Sequence, residues 1–294
     1  MARGVPAKGF RLTKKRAQAG WSKDNGIVHF HHNQVEEIRE TEAEIDQRIR
    51  DRFEVLETMT KAAVRGKAPA MVVSGPPGLG KSFSIENILK SFDPDRERST
   101  FVKGYVRPTG LFRTLYNYRH KGNVIVFDDA DSVFNDETSL NLLKAACDSA
   151  DERVVSYMVE TKLKDEEDEN IPKSFTFEGT IIFITNYDFD HLIEQGNKLA
   201  PHLQALISRT HYIDLMMKSR QDYVVRIKQV LGAGMLRVKG FTEDEEGEIL
   251  AFIEQNINSL RELSLRMVLK VAGMMDISPS NWQKMAHATC CKQK

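Results

Sequence analysis

Short apolar runs punctuate an otherwise charged chain, each bounded by polar or glycine-rich residues. Met71-Val72-Val73, Thr100-Phe101-Val102-Lys103, Val124-Ile125-Val126-Phe127, Ile181-Ile182-Phe183-Ile184 and His211-Tyr212-Ile213-Asp214-Leu215 are rich in β-branched and aromatic residues. The purely apolar runs among them predict strands buried on both faces, as in a parallel sheet. Between the runs the period changes. Ile85, Ile88, Leu89 and Phe92 recur at helical spacing, and further helices are predicted from Leu111 to Tyr118 and near Ser139 to Ser149. Alternating strands and helices imply right-handed βαβ units, so the expected class is α/β, a parallel five-stranded sheet with helices on both faces.

Three segments depart from this rhythm. In residues 33–66, Val35, Ile38, Ile45, Ile49, Phe53, Leu56 and Met59 are spaced mostly by three or four, which predicts one or two charged helices. Val154 to Val159 and Ser174 to Phe177 flank the acidic run Asp165 to Glu169 and predict an inserted β-hairpin with a charged tip. From about Lys218 the pattern turns wholly helical, with segments near 219–232, 243–256, 260–275 and 279–289. The expected organisation is a basic, disordered arm over 1–26, a large α/β domain over 27–216, and a small C-terminal helical lid domain over 217–294.

Charge changes this picture only at the N-terminus. The 294 residues carry 42 Lys and Arg against 42 Asp and Glu, so no global basic excess points to nucleic acid. Residues 1–23, however, contain Arg3, Lys8, Arg11, Lys14, Lys15, Arg16 and Lys23 with no acid. Such an arm is either solvated or a phosphate-backbone contact. No apolar stretch is long enough to span a bilayer, and no secretory leader pattern is present. Three cysteines, Cys147, Cys290 and Cys291, without a C-x-x-C pair suggest neither zinc nor a disulfide framework. A cytoplasmic protein with no membrane partner is expected. His29, His31 and His32 cluster, but no further ligand at a recognised spacing makes them a metal site.

The candidate chemistry lies where the first apolar run ends. Gly75-Pro76-Pro77-Gly78-Leu79-Gly80-Lys81-Ser82, followed by Phe83, fits the phosphate-loop pattern G-x-x-x-x-G-K-[ST] between a strand and a helix. Its glycines let backbone N–H groups turn inward at phosphate oxygens, with the positive end of a helix behind them. Lys81 is expected on the β- and γ-phosphates and Ser82 on magnesium, so the implied cofactors are ATP and Mg2+. A second magnesium contact is expected at the carboxyl end of the Val124–Phe127 run. There Asp128 would hold the metal shell and Asp129 would act as base toward the attacking water.

With these two motifs in order, the chain resembles an AAA+ ATPase over roughly residues 27–290, with a texture similar to ATPases encoded by tailed bacteriophages. The resemblance implies three more site residues. Asn186, ending the Ile181–Thr185 run, looks like sensor 1. Arg209, in Ala205-Leu206-Ile207-Ser208-Arg209, is similar to the arginine finger that completes a neighbouring subunit's site. Arg266, in Leu263-Ser264-Leu265-Arg266, looks like sensor 2, although Glu262 and Arg266 could instead form a solvated helical pair. Arg153 and Arg220 are substitute finger candidates. One position departs from the family, which mostly carries Asp-Glu where this chain has Asp128-Asp129; slower hydrolysis is the expected consequence.

The resemblance implies a ring-forming homo-oligomer, expected to be a hexamer, that remodels a protein or nucleic-acid substrate. Gly104-Tyr105-Val106-Arg107 would face the pore, its aromatic suited to polypeptide and its base to phosphate. The alternative is a nucleotide-switched, DNA-associated loader or initiator with slow turnover, contacting nucleic acid through the basic arm. A small-molecule kinase would leave the lid and Ser208-Arg209 idle.

Overall fold

The structure, a computed structural model, describes residues 21–24, 27–30, 40–160, 163–165, 169–196 and 198–292. The chain divides into two compact units, Met1–Thr41 and Glu42–Lys294. In the first, β1 (Trp21–Asp24) pairs antiparallel with β2 (Ile27–Phe30), Trp21 opposite Phe30. Lys23, counted above with the basic arm, thus sits in a strand. Arg3, Lys8, Arg11, Lys14, Lys15, Arg16, His31, His32, Val35 and Ile38 lie outside the described residues.

The second unit opens with α1 (Glu42–Val64) and β3 (Ala70–Ser74). Then follow α2 (Lys81–Phe92), β4 (Ser99–Lys103), α3 (Pro108–Asn117) and β5 (Val124–Asp128). After a 3-10 turn at Asp131–Phe134 come α4 (Glu137–Ala146), the strands β6 (Val154–Ser156) and β7 (Ser174–Thr176), and β8 (Thr180–Thr185). Two short helices, α5 (Phe189–Glu194) and α6 (Ala200–Ile207), precede β9 (His211–Asp214). The chain ends in α7 (Arg220–Gly232), α8 (Glu243–Gln255), α9 (Leu265–Ile277) and α10 (Trp282–Cys290).

The five-stranded sheet has the order β4-β5-β8-β3-β9 and is parallel throughout. Its pleat sorts the apolar runs between two cores. Val72, Ile125, Phe127, Ile181 and Phe183 face one cluster with α3, α4, α6 and the root of the hairpin. Met71, Val73, Val124, Val126, Ile182 and Ile184 face the other with α1 and α2. Both faces are therefore covered, which is why these strands read as continuous apolar runs. A third cluster, including Ile227, Ile249, Phe252, Val268, Trp282 and Ala286, belongs to the four C-terminal helices.

The hairpin is shorter than its apolar stretches, three residues a side, with Val155 opposite Phe175. Phe175 lies 5.1 Å from the Phe112 ring and roots the insertion in the first core. The middle of its acidic tip, 166–168, is outside the described residues. The helices α5 and α6 were not anticipated because they are too short for a periodic signal. Asp188 caps α5 by accepting from the His191 amide at 2.9 Å. Likewise α9 starts at Leu265 and not near 260, because Ser264 caps it through the Met267 amide. Among the described residues no helix is long and apolar enough to cross a membrane.

Candidate functional site

Every strand of the sheet ends, at its carboxyl edge, in a polar or charged residue: Ser74, Lys103, Asp128, Thr185 and Asp214. That edge is where open parallel sheets place their ligands. The phosphate loop leaves β3 with Gly78 and Gly80 at φ 73° and 92°, left-handed values that favour glycine, and α2 begins at Lys81. Lys81 is buried. Its Nζ donates to the carbonyls of Gly75 and Pro76, the latter at 2.8 Å, and to Asn186 Oδ1 at 3.2 Å. Burial pushes its pKa down to about 8, although Asp129 and Asp128 pull the other way.

The Asn186 amide has a second partner, Asp129 Oδ1, to which Nδ2 donates at 2.9 Å. One side chain therefore joins the phosphate-loop lysine to the proposed base. Ser82 Oγ donates to Asp128 Oδ1 at 2.7 Å, so a hydroxyl and a carboxylate already converge. These are hard oxygen donors, and they fit Mg2+, which takes one or two protein ligands and completes its shell with phosphate and water. Among the described residues there is no group of three or more His, Cys, Asp or Glu able to hold a metal by itself.

Asp129 has φ 54°, in the left-handed region. Aspartate enters that region more readily than glutamate, which gives a backbone reason for Asp-Asp in place of Asp-Glu. Three residues at this edge escaped the sequence. Asp131 accepts from Thr185 Oγ1 at 2.6 Å, and burial raises its pKa. Lys103 pairs with Asp128 Oδ2 at 2.9 Å. Arg226, on α7, donates through Nε to the Leu79 carbonyl at 3.3 Å and lies 3.3 Å over the Phe53 ring. Its burial lowers its pKa to about 10. A third carboxylate two positions after Asp129 was a visible hint; Lys103 and Arg226 become neighbours only through register and helix packing.

The C-terminal helices touch the loop directly. The Leu265 amide donates to the Gly78 carbonyl at 2.8 Å. A Cβ on Gly78 would lie 2.6 Å from Ser264 Cβ and 3.6 Å from Arg266 Cγ. Arg266 is exposed beside the loop, near enough for its charge to act on Lys81. Glu262 accepts from Ser264 Oγ, and among the described residues no Glu262–Arg266 ion pair forms. Phe83, the last residue assigned to the loop, is 69% exposed and turned away from the core. Arg209 is elsewhere: Nη1 donates to the Ala205 carbonyl at 2.8 Å, and Nε lies 3.7 Å from Asp148. The substitutes are engaged within the fold, Arg153 on the carbonyls of Ala146 and Gly179, and Arg220 on those of Ile257 and Leu260. In the loop after β4, Ser132 Oγ accepts from the Val106 amide at 2.8 Å and Tyr105 stands 79% exposed.

The phosphate loop after β3, the carboxylates at the end of β5 two places away and Asn186 at the end of β8 between them form the arrangement that the resemblance to AAA+ ATPases leads one to expect. No family model matches the chain. It is 35% identical over 254 residues to an Enterobacteria phage T4 protein described as an uncharacterised 36.7 kDa protein in the nrdC-mobD intergenic region, covering 86% of this chain and 77% of that one. The chain belongs to the family of that phage protein. Similar solved structures include the RuvB Holliday junction branch migration motor of Thermotoga maritima, 13% identical, covering 82% of this chain and 68% of that one, with a TM-score of 0.47. Domain III of the Thermotoga maritima replication initiation protein DnaA is 11% identical, covering 84% and 92%, at 0.45. NtrX from Brucella abortus with ADP is 11% identical, covering 82% and 51%, at 0.43.

Proposed function

We propose that this protein binds ATP with magnesium and hydrolyses it, and that it works as a homo-oligomeric ring, expected to be hexameric, on a macromolecular substrate. The observation that supports this best is the Asn186 bridge between Lys81 and Asp129, 3.2 Å to one and 2.9 Å to the other. Lys81 and the loop amides hold the phosphates; Asp129 takes the proton of a water that Asn186 orients. Magnesium, when bound at Ser82 and Asp128, supplies charge neutralisation at the phosphate oxygens. Arg209, not engaged at its own phosphate loop, would act on the neighbour's γ-phosphate, and Arg266 would report the nucleotide to the C-terminal helices. Tyr105 on its pinned loop would contact the substrate, and the basic arm would carry any nucleic-acid contact.

A second reading, a nucleotide-switched loader with slow turnover, is favoured by one feature: the Leu265 amide is bonded to Gly78, so the lid is latched to the loop. Turnover measured against protein concentration, with and without single-stranded DNA, duplex DNA and an unfolded polypeptide, separates the two. A motor accelerates with concentration and with one of these substrates. A switch stays slow with all of them.

A further inference from the structure

Lys103 ends β4 directly opposite Asp128, its registered partner on β5. The two side chains are unequal in setting: the lysine is 59% exposed and the carboxylate 6%. Asp128 Oδ1 is taken by the Ser82 hydroxyl at 2.7 Å, and Oδ2 by the Lys103 ammonium at 2.9 Å. Both oxygens of the candidate metal carboxylate are thus engaged, one by a fellow ligand and the other by a cation. Glu86 and Asp129 add negative charge around the same ammonium, and the Phe101 ring lies 5.7 Å from it. Nothing else positively charged is bonded to Asp128 among the described residues.

We propose that Lys103 is a built-in counter-ion for the magnesium site, neutralising Asp128 when no metal is bound and giving way when one arrives. This inference rests on the nucleotide-site reading and concerns how that site uses its metal. Its physical basis is simple. A bare carboxylate at this position repels the triphosphate, and an ammonium 2.9 Å away cancels that repulsion. The same ammonium opposes an incoming divalent cation, so magnesium gains less by binding. Lys103 therefore flattens the metal dependence of nucleotide affinity from both sides. Because the lysine is mostly exposed, replacing it leaves the sheet intact.

The test is the ratio of ATP dissociation constants in EDTA and in magnesium chloride, measured by titration calorimetry on the full chain. For Lys103→Met the ratio should rise at least about fivefold over native, through weaker binding in EDTA and equal or tighter binding with magnesium. Lys103→Arg, which keeps the charge, should stay close to native. An unchanged ratio for Lys103→Met overturns the proposal, and so does an equal loss of affinity in both buffers, which would make Lys103 a direct nucleotide contact. Native protein that binds no ATP in either buffer overturns the nucleotide-site reading itself, and this inference with it.

Discussion

At the residue scale, the most exposed consequence concerns the proton on Lys81. With its pKa pushed down to about 8 by burial, the free native protein sheds that proton well below the ordinary 10.5. Bound phosphates hold the ammonium, so above pH 8 binding must take up a proton. ATP affinity should then fall as pH rises through 8, approaching tenfold per unit, when dissociation constants are measured across that range. Stability runs the opposite way in the same window, because the unfolded chain still holds the proton that the native one has lost. Asp129→Asn should keep ATP affinity and lower turnover by about a hundredfold or more, as expected for a lost general base. Native turnover by this variant would assign the base elsewhere. Lys81, Ser82, Asp128, Asp129 and Asn186 were legible in the sequence because each sits at a fixed offset from a strand end or within a dense motif. Lys103 and Arg226 were not, since register and helix packing carry no mark at those positions.

At the element scale, two of the joints between the C-terminal helices and the α/β part of the chain carry predictions. One is Asp222 on α7, almost fully buried, which accepts from Ser219 Oγ at 2.7 Å, the Lys218 amide at 2.9 Å and Arg48 of α1 at 3.0 Å. Burial alone would raise its pKa, but the hydrogen bonds from Ser219 and Lys218 and the Arg48 guanidinium outweigh it and hold the carboxyl below its ordinary value. Its contribution is present at neutral pH and is lost as pH falls through the lowered value. Asp222→Ala should cost about 2–4 kcal/mol, read as a fall in denaturation midpoint, because it removes the buried acceptor on which Ser219, Lys218 and Arg48 converge. The other joint is the close approach of Ser264 to Gly78. Gly78→Ala should cost at least about 1 kcal/mol from its left-handed backbone, and the clash should speed amide exchange at Leu265. Exchange as slow as native would show that the joint accommodates a side chain. The sequence marked the helices on either side of these joints, since their apolar faces are periodic. It could not mark the joints, which depend on a backbone carbonyl and a cap.

At the scale of the whole molecule, the proposed ring makes its own predictions. Arg209→Ala should abolish hydrolysis while leaving ATP affinity nearly intact, since a finger acting in trans contributes about a thousandfold or more. Mixing it with Lys81→Ala should partly restore activity, because one mutant still binds ATP while its neighbour still offers Arg209. A dead mixture, with mixed oligomers shown by mass measurement, would rule out the trans role. Deleting residues 1–23 should remove most salt-sensitive nucleic-acid binding, and unchanged affinity would assign the contact to the folded body. The parallel sheet and the C-terminal helical region were readable from the alternation of periods, apart from where the last helices begin. The strand order was not, because apolar runs do not say which run lies beside which.

That order has a consequence for how the chain acquires its site. The phosphate-loop strand, Ala70–Ser74, pairs with Thr180–Thr185 on one side and His211–Asp214 on the other. Neither neighbour is close in sequence. During synthesis, the most recognisable motif in the chain must wait for more than a hundred further residues before it has a sheet to belong to, with the entropy of that long loop set against it. A nascent chain halted before Thr180 should therefore bind no nucleotide and should present apolar strand edges to whatever is nearby. Release of the last strand, and not of the motif itself, is the event that would commit the protein to its native state.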